Sequence, residues 1–375
     1  MKTIRRSHKF KLTPTSAQLQ MFNQFAGNSR FVYNALLEWS SWVYKRHERR
    51  SVVNRAALCK QVTQMKGDFD FLKLSHVHTL QSSADNLLVA YKKFFTRQGG
   101  YPKFKKKHSR TQSFTYKSGV KVDGNRVWLP KVGWVKFRRS MDAIGQIKKA
   151  TVSRKQSGWY VSLSVVEGIE VHPESAALVG VDLGLKHFAI FSDGTKIENP
   201  KFFKESQAKL RKLQRSMARK KKGSANYAKA RKKVALLHER IANQRKDFQH
   251  KLTSKLVVDN QVIGIETLVV RNMVKNRRLA KAISDAGWCE TLRQIKYKAG
   301  WHNRAVDQKG QWFPSSKTTH CCGVHLPDLT LGDRVIVCPN CGQAMDRDVN
   351  AALNLKPVAA GHAETVNACG VACKT

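Results

Sequence analysis

Acidic residues are what this chain has least of: 26 Asp and Glu stand against 69 Lys and Arg in 375 residues, a net charge of +43. An excess of that size goes far beyond what solubility asks for, and it points to polyanionic partners. Long apolar runs are missing too. None approaches the roughly 18 residues of a membrane-spanning helix, and the opening MKTIRRSHKF lacks the apolar core of a secretory signal. A membrane partner is therefore not expected; the expectation is a prokaryotic cytoplasmic protein that joins the nucleoid when it binds DNA. No G-x-x-x-x-G-K-[ST] loop is present, which excludes P-loop nucleotide hydrolysis, and no internal repeat suggests a stacked array. The length allows two or three domains, each with its own core.

Cysteine is not scarce, but in a Lys-rich chain without a secretory signal a disulfide framework is not expected. Cys59 and Cys289 stand alone in helical patterns and read as small packed apolar residues. Cys321, Cys322, Cys338 and Cys341 cluster, which points to a metal. His362, Cys369 and Cys373 fall in a small, polar tail over residues 358–375 that is expected to be disordered and to bind none.

The chain is organised around LVGVDLGLKHFAIFS, residues 178–192. A β-branched run ends on Asp182, Gly184 turns, and a second apolar run follows, which reads as a strand, a tight turn and a paired strand. A carboxylate at the end of a buried strand is costly unless it is paired, hydrogen-bonded or metal-bound. QVIGIETL, residues 261–268, repeats the pattern and ends on Glu266. DRDVNAALNL places Asp346 and Asp348 ahead of a short helix, where one can act as the N-cap.

Before this region, SHKFKLTP reads as a strand, and Leu19, Phe22, Ala26, Tyr33, Leu36 and Leu37 fall at helical spacing with a break expected at Gly27 and Asn28. More helices run to about Arg97. YPKFKKK then interleaves Tyr101 and Phe104 with Lys103, Lys105, Lys106 and Lys107, a combination suited to stacked bases and a phosphate backbone. Short strands at Arg126–Leu129, Gly133–Phe137, Gln146–Ser153 and Trp159–Val166 suggest a small barrel or sheet completed by the opening strand. Between Lys201 and Lys255, 19 Lys or Arg face three acids, on two amphipathic helices. Their stripes are Leu210, Leu213 and Met217, and Val234, Leu237, Ile241, Phe248 and Leu252, with Lys220, Lys221 and Lys222 at the turn between them. A basic hairpin so dense suits a nucleic-acid channel.

Three acids at strand ends and a helix start, within a cationic chain, are what an RNase H-like nuclease requires. Two Mg²⁺ ions about 4 Å apart need several anionic oxygens on rigid elements, one ion activating water and the other stabilising the leaving oxygen.

VDLGLKHFAIFSDG, IGIETLVVRNMVKNRRLAKAISDAGW, SSKT before paired cysteines, and CPNCGQAMDRDVNAALNL resemble the motifs of the TnpB (OrfB) family of transposon-associated proteins, similar to the ancestors of type V CRISPR effectors. The resemblance implies an RNA-guided double-stranded DNA endonuclease of a transposable element, cutting beside a short DNA motif. It implies a multidomain α+β fold: a wedge-type β-barrel over 1–14 and 98–170, an inserted helical recognition lobe over 15–97, a RuvC-like nuclease domain over 178–312 and 346–357, and a zinc ribbon over 313–345. Asp182, Glu266 and Asp348 carry over as the Mg²⁺-binding catalytic carboxylates, Asp348 because it stands two residues before Asn350-Ala351, and Asp346 is left to cap. Guide RNA from the protein's own locus and a double-stranded DNA target are the implied partners, with base pairing supplying the specificity.

Cys338-Pro-Asn-Cys341-Gly342 is a zinc knuckle, but its partner departs from the family pattern, because Thr319 stands at the first ligand position of Thr319-His320-Cys321-Cys322-Gly323. Cys322, Cys338 and Cys341 are expected as three ligands of one Zn²⁺; the fourth could be Cys321, His320 or His325, and Cys321 is taken because a thiolate is available there. Two other functions fit the carboxylates or the scaffold: a resolvase or transposase, and an RNA-guided DNA-binding repressor without nuclease activity. The repressor reading expects a lost carboxylate, and all three positions are acidic.

Overall fold

The computed structural model describes residues 1–46, 54–107, 112–140, 145–330 and 332–357. The tail expected to be disordered, with His362, Cys369 and Cys373, lies outside the described residues. Two compact units divide the chain, one running from Thr3 to Ile169 and the other from Glu170 on.

In the first unit, β1 (Lys2–Thr13) leads into four helices, α1 (Ser16–Arg46), α2 (Arg55–Asp68), α3 (Asp70–Lys73) and α4 (Val77–Phe95). Six strands follow: β2 (Gln112–Tyr116), β3 (Lys121–Asp123), β4 (Arg126–Leu129), β5 (Gly133–Phe137), β6 (Gln146–Lys155) and β7 (Gly158–Ile169). With β1 they form one seven-stranded sheet in the order β2-β6-β7-β1-β5-β4-β3. Alternate residues of every long strand point inward, as a period of two requires. Phe10 and Leu12, Phe114 and Tyr116, Val127, Val135, Val152 and Val161 meet in a single core. The sheet curls around that core, and the Tyr116 hydroxyl on edge strand β2 donates to Pro130 O beyond β4, 3.1 Å away.

The break expected at Gly27 and Asn28 does not occur, and α1 runs unbroken for 31 residues. Asn28 is buried, and its side-chain amide donates to Phe71 O at 2.9 Å and Ser75 Oγ at 2.8 Å. Those tertiary partners remove its reason to bond to its own backbone and end the helix. Farther along, Val32, Leu36 and Leu37 pack on Leu58, Leu72, Leu80, Ala84 and Leu87 in a separate helical core.

The second unit is built on β8 (Leu178–Asp182), β9 (His187–Phe191), β10 (Lys196–Glu198), α5 (Phe202–Ala218), α6 (Ala225–Asp259) and β11 (Val262–Ile265). It continues through α7 (Val270–Met273), α8 (Ala280–Ala286), α9 (Trp288–Trp301), β12 (Ala305–Gln308), the β13 (Val335–Val337) and β14 (Ala344–Asp346) pair, and α10 (Arg347–Leu355). Five strands lie in the order β10-β9-β8-β11-β12. β8, β11 and β12 are parallel, whereas β9 and β10 are antiparallel to their neighbours. Val179, Val181, Ile263 and Ile265 face Leu256, Val257, Leu292 and Ile295 of α6 and α9.

α5 and α6 form the basic hairpin, turning through Gly223 at φ +88°, with Ser224 accepting the Tyr227 N–H as N-cap. Leu210, Val234, Leu237 and Ile241 make its seam. Phe248 and Leu252, expected in that stripe, pack instead on the sheet core, where Phe248 meets Phe188 edge-on at 4.9 Å. α6 is 35 residues long, so its second half extends past α5 and has the sheet to cover.

Candidate active site and cysteine cluster

Asp182 closes β8, and Glu266 follows β11 by one residue. The strands are parallel with Val181 opposite Ile265, so the next position on each chain sets Asp182 and Glu266 side by side at the C-terminal edge. One pair earlier, Gly180 faces Gly264. A Cβ at Gly180 would run into Ala352 O, and one at Gly264 into Leu355 O. Two strand glycines in register thus let α10 lie directly on the sheet backbone, opposite the face that α6 and α9 cover. That contact carries Asp348, near the start of α10, to the other two acids.

Asp346 is the N-cap of α10, accepting N–H groups from Asp348 at 2.9 Å and Val349 at 3.3 Å, and it pairs with Lys196 at 2.7 Å. Burial pushes its carboxyl upward, but Lys196 and the two N–H donors hold it below the usual range. Asp348 is left facing Arg347 at 3.4 Å and Arg334 at 3.7 Å. Burial, and then the charges of Glu266 and Asp348, push Asp182 up to about 7; Arg347 and the Leu183 N–H oppose this only in part. Burial raises Glu266 as well. Asp182 and Glu266, both pushed toward the neutral form, with the Asp348 charge acting on Asp182, are a donor set that divalent cations would relieve.

The four expected cysteines come together, all four Sγ atoms lying within 4.8 Å of one another. Cys341 and Cys321 are 3.4 Å apart, close to the ~3.8 Å edge of a tetrahedral thiolate site. Cys338 is buried, and the Cys341 N–H, with that of Asn340, overcomes burial to bring its thiol down to about 6. It is therefore a thiolate at neutral pH, as a metal ligand must be. His320 does not join this group: its N–H donates to Asn350 Oδ1 at 2.7 Å, and its ring meets Asn354 Oδ1 at 3.3 Å. His325 instead sits in a bridge with Thr318.

Thr319 explains the irregular spacing. In one loop Cys338 N–H donates to Gln343 O and Gly342 N–H to Cys338 O; in the other Thr319 N–H donates to Val324 O and Gly323 N–H to Thr319 O. Gly342 and Gly323 adopt φ +70° and +67°. Two copies of one knuckle are present, with Thr319 where Cys338 would be. Its hydroxyl lies 3.7 Å from Cys338 Sγ, where it donates to the thiolate and helps lower its pKa, and Cys321 supplies the thiol that Thr319 lacks. Asn350 and Asn354, one turn apart on α10, donate to Thr318 O at 2.7 and 2.6 Å, so one helix braces both clusters.

Of the residues expected to meet nucleic acid, Lys103, Phe104, Lys106 and Lys107 are exposed, as are Lys220, Lys221 and Lys222. Lys105 is exposed as well, with its ammonium 3.7 Å from the Tyr33 ring centroid, where desolvation lowers its pKa. Asn34 fixes it by clasping its backbone at 2.8 and 3.0 Å. Tyr101 is exposed, but its hydroxyl lies 3.0 Å from Ser41 Oγ. Gly180, Gly264 and Thr319 have roles that the sequence reading did not assign. VGVD and IGIE share a glycine two residues before the acid, a signal that was available.

Three family profiles match the chain: OrfB, described as a probable transposase, over residues 160–277; a Cas12f1-like TNB domain over 288–355; and a helix-turn-helix domain of OrfB over 1–49. Over that last range the described residues form β1 and the single helix α1. A Streptomyces pristinaespiralis protein named as an RNA-guided DNA endonuclease is 38% identical, with 99% of this chain and 92% of the relative aligned. InsQ of Escherichia coli K12, similarly named, is 35% identical over 96% of this chain and 93% of its own. In fold, the chain matches the protein of a Cas12f1–sgRNA–target DNA complex solved by cryo-EM, with a TM-score of 0.64 at 12% identity over 94% of this chain and 98% of the other. Among the described residues no helix is long and apolar enough to cross a membrane. On the near-full-length identity to these relatives, the chain belongs to the TnpB (OrfB) family of transposon-associated proteins.

Proposed function

We propose that this protein is an RNA-guided double-stranded DNA endonuclease of a transposable element, cutting beside a short DNA motif with guide RNA from its own locus. The observation that carries the reading is the convergence of Asp182, Glu266 and Asp348 from two parallel strands and one helix. The strand order supports an RNase H-like (RuvC) domain formed by residues 178–312 and 346–357. The three acids would hold two Mg²⁺ ions, which when bound activate water and stabilise the leaving oxygen of a phosphodiester. Arg347 and Arg334 lie against the Asp348 carboxylate, and Asp346, committed to capping, takes no part in the chemistry.

The remaining assignments follow the same reading. The curled seven-stranded sheet is the wedge-type barrel, and α1 to α4 form the recognition lobe. Residues 313–345 form a zinc ribbon in which Cys321, Cys322, Cys338 and Cys341 would hold one Zn²⁺. Lys103, Lys106 and Lys107, with Phe104, and the α5–α6 turn at Lys220, Lys221 and Lys222 neutralise phosphates. Lys105, exposed with its ammonium beside the Tyr33 ring, belongs to the same set.

The test is cleavage of a double-stranded DNA library with randomised flanks by the protein purified with RNA from its own locus, in Mg²⁺. Cutting confined to one flanking motif supports the proposal. Motif-specific binding without cutting would replace it with the repressor reading.

A further inference from the structure

Trp312 is 87% exposed, the most exposed aromatic side chain among the described residues. Phe313 beside it is 41% exposed. Indole is large and mostly apolar, and folding alone gives no reason to leave it in water. Nor is it on a loose end. β12 pairs with β11 in register through Gln308 opposite Ile265, and Lys309 N–H then donates to Ile265 O at 2.9 Å. Thr267 Oγ donates to Lys309 O at 2.7 Å, so Lys309 is held beside Glu266. The chain then turns tightly, with Phe313 N–H donating to Gly310 O at 3.2 Å and Ser315 N–H to Phe313 O at 2.9 Å. Lys309 places its ammonium 5.8 Å from the centre of the Phe313 ring and 2.8 Å from Asp307.

A rigid turn thus presents an open indole three residues beyond the position adjoining a catalytic carboxylate. Cations flank it at Lys309 and Lys317, in a chain of net charge +43. We propose that Trp312 is a base-stacking platform for the single DNA strand whose backbone enters the carboxylate site. An aromatic face suits this because every base has a π-surface, so the strand is gripped whatever its sequence, as a guided enzyme needs. A protein partner is disfavoured by the surrounding charge, which matches a polyanion. Trp312 is a positioning residue here: stacking fixes the phosphate that follows the base over the acids and contributes no atom to the reaction.

The inference rests on the nuclease reading, and the experiment separates the two. Wild-type ribonucleoprotein is used to map the cut positions, and a duplex is then prepared with 2-aminopurine next to the cut site. Trp312→Ala should cut about 5- to 150-fold more slowly, the range given by losing one base stack, with the half-saturating DNA concentration unchanged because base pairing dominates binding. Trp312→Phe should recover part of the rate, and Trp312→Leu, apolar but without a ring, should not. In an Asp182→Ala background the bound 2-aminopurine should be quenched, and brighter once Trp312→Ala is added. If the wild type does not cut at all, the nuclease reading falls and the platform with it. If the wild type cuts but Trp312→Ala leaves rate and fluorescence unchanged, the platform alone falls.

Discussion

The second unit gathers two sets of ligand-type side chains, and it builds them by opposite means. The carboxylates sit on secondary structure: strand register aligns Asp182 with Glu266, and a backbone-to-backbone contact through Gly180 and Gly264 brings in Asp348. The cysteines sit on turns of a few residues, with a two-stranded pair at Val335–Val337 and Ala344–Asp346 and little buried beyond Ser315, Thr319, Ile336 and Cys338. The first cluster is therefore preformed and electrostatically strained before any ion arrives. The second has only a small core, so on the proposed reading a bound ion would be what holds its loops. Helix α10 serves both, with Asp348 at one end and Asn350 and Asn354 gripping the Thr319 loop.

The most damaging way to break this contrast is Gly264→Ala. Its Cβ would meet Leu355 O, a backbone atom that cannot yield without moving α10. The expected result is loss of cleavage together with destabilisation of ~3 kcal/mol or more, read by thermal melting. An unchanged melting temperature with full activity would mean that α10 does not rest there. Next comes Cys338→Ser, or a chelator selective for zinc over magnesium. Hydrogen exchange should speed up across residues 315–346 while β8, β9 and β11 stay protected, and metal analysis should find about one zinc lost per chain. Parallel exposure of β8 would contradict the separation of the two clusters.

A smaller effect probes the strain at the carboxylates. Asp182 titrates near 7 in the folded protein and near its ordinary value of 3.8 when unfolded. Between those values the folded state holds a proton that the unfolded state has lost, so stability falls as pH rises from about 4 to about 7 and remains reduced above. Without divalent cations, Asp182→Asn should thus be more stable than the parent at pH 8, by a few kcal/mol on the scale of ~1.4 per unit, and this advantage should disappear near pH 4. Mg²⁺ should stabilise the parent and not the variant. The smallest effect is expected from Thr319→Cys combined with Cys321→Ser, which moves the fourth thiol to the position equivalent to Cys338. Zinc content should be unchanged and zinc release to a chelator slower, because the vicinal Cys321-Cys322 pair is relieved; loss of zinc would refute the knuckle equivalence.

Much of this was legible in the chain because short-range chemistry decides it. The runs ending on Asp182 and Glu266, the turn after Cys338 and the capping position of Asp346 depend on residues within a few places of one another. What depended on distant partners was not legible. Asn28 reads as a helix breaker until Phe71 O and Ser75 Oγ take up its amide. Phe248 and Leu252 carry the same helical period as the α5–α6 seam, and only the greater length of α6 assigns them to the sheet. The pairing of Gly180 with Gly264 needed the strand order, although VGVD and IGIE carried the pattern openly.

The central claim is that three acids from β8, the end of β11 and α10 form one cutting centre. Asp182→Ala, Glu266→Ala and Asp348→Ala ribonucleoproteins should therefore be compared with wild type on one target, measuring cleavage in Mg²⁺ and target binding in parallel. The account predicts that each substitution abolishes cutting, by a thousandfold or more on the order of other essential catalytic groups, while target binding is retained and Asp346→Asn still cuts. A variant of any of the three that cuts at the wild-type rate would contradict it.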